Sequence, residues 1–325
     1  MSDYKIFDDL LDGQTMTADE YHALAPSEKP ASFDEKLAEI HDMGFDGRYT
    51  TLCCVDDGAD LAHENFLDDY GGTRIKYSES NVRGETPSTG GNHGTHVLGT
   101  MGGLYTGVLP AATLEVYKGL NARGQGTSAD LNACGASINQ RFRQNKISTP
   151  IVVVNMSYGG PFDQGQENVL SDSNELGLAC CASAGNSGHS TSRPTCGHPG
   201  TSAYVNCSAN IRIDGTLSSS SSHCKQVDLA SHGTNVLSSI PGNRYGFKTG
   251  TSMSSPWMSG ICGMIQEWLL SIGKPIIRSE TAWTNFWMIN AIDAGKRGHD
   301  WKYGYGILTF EDILDLIIRK ELKHV

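Results

Sequence analysis

Gly250-Thr251-Ser252-Met253-Ser254-Ser255-Pro256-Trp257 is a small turn with a serine in it, followed by an apolar run from Met258 to Leu270 at helical spacing. That spacing places Ser252 at the N-terminus of a helix, among backbone N–H groups that have no intrahelical partner and at the positive end of the helix dipole. A nucleophile gains from this position, because the same groups stabilise the oxyanion that its attack creates. Taken alone, Gly-Thr-Ser is more often a helix cap than a nucleophile.

Three further stretches change its meaning: Cys54-Val55-Asp56-Asp57-Gly58, Asn92-His93-Gly94-Thr95-His96-Val97 and Ala184-Gly185-Asn186-Ser187-Gly188. With the serine segment they give Asp, His, Asn and Ser in that order. On these motifs the chain resembles the subtilisin family of serine proteases, the subtilases. The resemblance implies that Ser252 attacks a peptide carbonyl, that His93 is the general base, and that Asp56 orients His93. It also implies that the Asn186 amide and the Ser252 backbone N–H hold the oxyanion. These roles, and their energetic scale, are the ones established for subtilisin itself. The implied fold is α/β, in three layers, with a mostly parallel central sheet and helices on both faces. The implied activity is that of a serine endopeptidase working through an acyl-enzyme. Two alternatives stay open: a catalytically silent subtilase that binds peptides, and a peptide ligase or macrocyclase in which an amine outcompetes water.

Composition narrows the partners. With 325 residues, 38% hydrophobic, and no linker-like segment, the chain can build one large core. A formal net charge of −11 argues against nucleic acid and anionic membrane. No apolar run approaches the roughly 20 residues of a membrane span. The opening Met1-Ser2-Asp3-Tyr4-Lys5 has no basic segment followed by an apolar core, so the expected location is cytoplasmic and the expected partners are protein or peptide substrates. Nine cysteines leave at least one unpaired. Cys53/Cys54 and Cys180/Cys181 lie in strand-like runs that send neighbouring side chains to opposite faces, as small core residues of a reducing compartment rather than a disulfide framework. There is no C-x-x-C pair and no zinc-like spacing.

Residues 1–46 are acidic and mostly helical in pattern, with apolar points at Leu10, Leu11, Tyr21, Leu24, Phe33, Leu37 and Ile40 and breaks at Pro26 and Pro30. They form an arm or short pro-segment ahead of a peptidase domain at 47–325, either packed on the core or covering the cleft as a removable segment. Tyr49 to Val55 predicts a buried strand that ends at Asp56, and functional groups of open α/β sheets gather at such carboxyl ends. Asp57 is expected to be an exposed loop carboxylate. His93 opens a helix, and His96 is expected to be a hydrogen-bonded structural residue. Two histidines at i,i+3 without a third ligand do not make a metal site. In the family, a loop after this helix often wraps calcium. Here Gly102 to Val108 is short and carries no carboxylate or side-chain amide, so the usual high-affinity calcium site is expected to be missing and no cofactor to be required.

Gly124-Gln125-Gly126 and Ser157-Tyr158-Gly159 resemble the two strand edges that pair with an extended substrate, the second also forming a wall of the primary pocket. Ile151 to Gly160 reads as a strand covered on both faces, and Leu178 to Ala184 as another that delivers Asn186. Cys196-Gly197-His198-Pro199-Gly200 resembles the pocket floor, with Gly197 leaving room and no acidic residue at the matching positions. A large apolar or aromatic residue is therefore expected before the cut. The His198–Pro199 bond matches a cis position of the family. Ser254, Trp257, Met258 and Ser259 depart from the usual Ala, His, Val and Ala, on the packing face of the helix and not at the attacking atom.

Overall fold

The computed structural model describes residues 4–6, 10–24, 35–188 and 193–319. Pro26, Pro30 and Phe33 lie outside the described residues. In chain order the strands are β1 (Tyr4–Lys5), β2 (Leu10–Thr17), β3 (Thr50–Asp56), β4 (Ile75–Ser80), β5 (Thr113–Lys118), β6 (Gln125–Gly126), β7 (Ile151–Met156), β8 (Ala179–Ser183), β9 (Asn206–Ile211), β10 (Val227–His232), β11 (Val236–Ile240) and β12 (Arg244–Thr249). The helices are α1 (Ala18–Ala23), α2 (Glu35–Asp42), α3 (Asn92–Gly102), α4 (Ser128–Arg143), α5 (Gln164–Leu176), α6 (Thr251–Ser271), α7 (Glu280–Asn290) and α8 (Phe310–Arg319).

Seven strands form the central sheet in the order β10-β9-β8-β7-β3-β5-β4, every neighbouring pair parallel. Continuous β-branched runs such as Ile151-Val152-Val153-Val154 suit this sheet, because both of its faces are covered. Period-two alternation splits each strand between two cores. Leu52, Cys54, Val153 and Cys181 face one core with α3 and α6, whereas Cys53, Val55, Val154 and Cys180 face the other with α4 and α5. The paired cysteines are thus buried on opposite faces, as their spacing predicts, and the fold is the three-layer α/β arrangement expected.

The strand order places a topological switch at the centre. From β3 the sheet grows one way through β5 to β4, then resumes on the other side of β3 with β7. Ligand crevices of open α/β sheets form outside the carboxyl ends of the strands at such a point. Asp56 ends β3 here, and Ser157 follows β7, whose Met156 pairs with Val55.

Helix α6 is buried from Thr251 to Leu269, an apolar rod through one core. Pro256 sits within its first two turns and has no N–H to give the Ser252 carbonyl. The Ser157 hydroxyl supplies the missing donor, at 3.0 Å from the Ser252 carbonyl oxygen. Among the described residues, no helix is long and apolar enough to cross a membrane.

The arm departs from its helical pattern. α1 and α2 are helices, but Leu10–Thr17 is a strand that pairs antiparallel with β12 and completes a three-stranded sheet, β11-β12-β2. Edge pairing decides here, since the free N–H and C=O row of β12 offers hydrogen bonds that local propensity does not count. α1 is fastened by Tyr21, which stacks on Tyr245 at 4.1 Å between centroids and donates to the Tyr105 carbonyl. α2 packs on α8 through Leu37 and Ile40.

Candidate active site

Asp56 and His93 meet at the head of α3. His93 Nδ1 lies 2.8 Å from Asp56 Oδ1, with the two side chains 5% and 1% exposed. A carboxylate only accepts, so Nδ1 carries the proton, and whenever the ring is neutral its lone pair lies on Nε2. Asp56 Oδ1 also accepts the Asp57 N–H at 2.7 Å, which fixes the carboxylate from its own backbone. Gly94 follows the histidine because α3 passes close over the end of β3: a Cβ there would lie 2.1 Å from the Gly58 carbonyl oxygen.

Ser252 is the second residue of α6 and is fully buried. Its hydroxyl points toward the Ser157 carbonyl oxygen at 3.4 Å, beyond ordinary O–H···O bonding. Asn186 leaves β8 through Gly185, whose φ of +114° requires glycine. Asn186 Oδ1 accepts from both the N–H and the hydroxyl of Thr251, at 2.9 and 3.0 Å. A backbone N–H can only donate, so these contacts assign the amide orientation and direct its NH₂ away from Thr251. The Thr251 hydroxyl also accepts the Gly185 N–H at 2.9 Å, tying the Asn186 turn to the start of α6.

The two edges face each other across a cleft that the chain's own N-terminus occupies. Tyr4 pairs with Gly126 and Lys5 with Gln125, antiparallel. On the other side the Lys5 N–H donates to the Gly159 carbonyl at 3.1 Å, and the Gly159 N–H returns a bond of 3.0 Å. The Ile6 N–H then donates to the Gly124 carbonyl at 2.8 Å. Residues 4–6 therefore form the middle strand between Gly124-Gln125-Gly126 and Ser157-Tyr158-Gly159. Only the Tyr4 side chain is deeply anchored: it is 1% exposed, donates to the Pro161 carbonyl at 2.9 Å and packs edge-on against Tyr158. The Tyr158 hydroxyl in turn accepts from Gln166.

Gly197 is held by its N–H to the Ala184 carbonyl, and the His198–Pro199 peptide is cis. His198 is buried, and burial pushes its pKa down to about 4. Glu167, 4.0 Å from His198, accepts from the Ser202 hydroxyl. Cys196 and Cys224 form a disulfide, with the Cys207 sulfur within 4.8 Å of both. That bond departs from the all-thiol interior expected from the sequence, because loops flanking β9 and β10 bring together cysteines 28 positions apart. The other seven cysteines are buried thiols.

His96 lies within hydrogen-bonding distance of the Val236 and Gly246 carbonyls, at 3.0 and 3.1 Å, and its burial holds its pKa well below the usual histidine value. That is a structural histidine, as expected. Asp57 is the clear correction. It is 4% exposed, not a solvated loop carboxylate, and its oxygens face the backbone of α3. Lys118, fully buried, donates to the Asp57 and Thr89 carbonyls at 2.5 and 2.8 Å and pairs with Glu85 at 3.0 Å. Neither contact has a signature in residue spacing.

Residues 47–306 match the model of the subtilase family, described as peptidase S8. Among curated relatives, Subtilisin E of Bacillus subtilis is 28% identical over 285 residues, covering 85% of this chain and 68% of that protein. Subtilisin DY of Bacillus licheniformis is 29% identical over 283 residues, covering 85% and 94%. The major intracellular serine protease of Bacillus subtilis is 29% identical over 251 residues, covering 72% and 73%. The chain belongs to the subtilase family and is a subtilisin-like serine endopeptidase, with proteins as its substrates.

Proposed function

We propose that Ser252 is the nucleophile, with its proton taken by His93 Nε2 and returned to the leaving amine. Asp56 holds the required tautomer and stabilises the imidazolium. The Asn186 NH₂ and the Ser252 N–H receive the oxyanion at the positive end of α6, where donors are fixed before reaction and cost little reorganisation. The observation that carries this reading is the antiparallel capture of residues 4–6 between Gly126 and Gly159, because it displays the cleft holding an extended polypeptide by its main chain.

In the same reading residues 1–46 are an arm that keeps the 47–325 peptidase domain latent. The main chain of residues 4–6 fills the pairing groups that a substrate needs, and β2 and α1 anchor the arm beyond the cleft. Gly197 leaves space for a large apolar or aromatic residue before the cut. No cofactor is required, and residues 102–108 offer no side-chain carboxylate or amide for calcium. The enzyme acts in the cytoplasm. The test is digestion of an unfolded protein, with new termini identified by mass spectrometry and Ser252→Ala and His93→Ala as controls. Internal cuts after large apolar or aromatic residues, absent in both controls, are expected. Binding without cleavage would instead indicate a silent peptide-binding subtilase, and products joined to an added amine a ligase.

A further inference from the structure

Helix α3 begins without a cap of its own: its N-cap residue is Gly91, which has no side chain to accept from the first-turn amides. Asp57, from the loop after β3, does this from outside the helix. Its Oδ1 accepts the Gly94 N–H at 2.7 Å, and its Oδ2 lies 3.4 Å from the His93 N–H. The capped amides are those of His93 and its successor, so the carboxylate fixes the backbone from which the imidazole projects. A negative charge at a helix N-terminus is also favourable to the dipole.

We propose that Asp57 is a positioning residue for His93: it holds the imidazole on Asp56 through the helix cap, and its charge favours the imidazolium that forms in the transition state. Both oxygens face α3 amides, which argues against a substrate contact. The inference rests on the proposed role of His93 as base.

The charged and titratable groups that face Asp57 are Asp56 and the buried Cys54 thiol on β3, His93 on α3, and Lys118 on β5, which donates to the Asp57 carbonyl and pairs with Glu85 on the loop before α3. His96 on α3 and Lys248 of β12, at the Asn92 carbonyl, lie one step further out beside His93. Burial and the adjacent Asp56 raise the Asp57 pKa to about 6. The fastest form has then lost two protons, one from His93 and one from Asp57, the second of them around pH 6. In Asp57→Asn or Asp57→Ser only one remains.

The test is the second-order rate of fluorophosphonate labelling of the full chain between about pH 5 and 8, for wild type, Asp57→Asn and Asp57→Ser, with both variants checked for folding by circular dichroism. The expected acid limb falls more steeply than one proton around the Asp57 titration in wild type, and with a slope of one throughout in the variants. The plateau rate should fall roughly 10–100-fold, the scale of one partly screened charge beside a buried cation. NMR titration of the His93 ring in a Ser252→Ala background gives a second readout that needs no activity, and the Asp57 substitutions should weaken its proton affinity about tenfold. A limb as steep in both variants as in wild type, or an unmoved His93 titration, overturns the proposal. If wild type is not labelled at any pH even after the arm has been cut, the base assignment fails and the NMR result alone judges Asp57.

Discussion

Tyr4→Ala should open the cleft. In the closed chain the Tyr4 ring is nearly fully buried, its hydroxyl donates to Pro161 and its edge meets Tyr158 with centroids 6.0 Å apart. Truncating a buried aromatic costs about 3–5 kcal/mol in a sealed core. In a cleft that water can refill, about 2–3 kcal/mol is the fitting range, which lowers the closed-to-open ratio roughly 30–150-fold. The assay is the initial rate on a fluorogenic peptide, read while the intact mass still shows the full chain. Lys5→Ala is the control: the Lys5 side chain is exposed and only its backbone pairs with Gly159 and Gln125, so its rate should stay within about twofold of the parent. If the uncut Tyr4→Ala chain is no faster than the parent, the arm does not hold the site closed.

Three further outcomes follow from the geometry. Asn186→Ala should lower kcat with little change in KM, by about 10²–10³, a magnitude carried over from the subtilisin oxyanion asparagine and not worked from this structure; an unchanged kcat in steady-state kinetics would remove Asn186 from the oxyanion site. Asp57→Asn should raise stability at pH 7, because a carboxyl whose pKa is raised on folding from 3.8 to about 6 carries a penalty whenever it is ionised, with a ceiling of about 3 kcal/mol. Wild type regains that stability as pH falls through 6 toward 3.8, so the gap in denaturation midpoints should close near pH 4, and a gap that widens on acidification would contradict the sign. Chelation by EDTA should leave Tm within about 2 °C, whereas a large fall would mean a structural cation outside residues 102–108.

Much of the fold was legible because burial on both faces leaves a plain trace: Ile151 to Val154 and Leu52 to Val55 are apolar without interruption, as in the strands of a covered parallel sheet. The adjacent cysteines were legible for the same reason, since alternation fixes their faces whatever lies beyond. The candidate site residues stood out because four motifs in one order resemble those of the subtilases, and small neighbours such as Gly94 and Gly185 mark where backbones must approach or turn. What stayed hidden depends on direction and distance. Nothing in Asp56-Asp57 says that the second carboxylate turns inward onto α3. Leu10–Thr17 lacks clean alternation, and it becomes a strand because β12 offers it an edge. The Cys196–Cys224 bond depends on two loops meeting, which a count of cysteines cannot reveal.

The most direct measurement is the intact mass of the purified chain after treatment with a fluorophosphonate, with Ser252→Ala alongside. A single adduct that depends on Ser252 is expected, slow on the full chain and fast once the arm has been cut, since Ser252, His93 and Asp56 are each at most 4% exposed while residues 4–6 lie in the cleft. No adduct on a chain whose arm has been removed, or an adduct that survives Ser252→Ala, would contradict the assignment of the nucleophile.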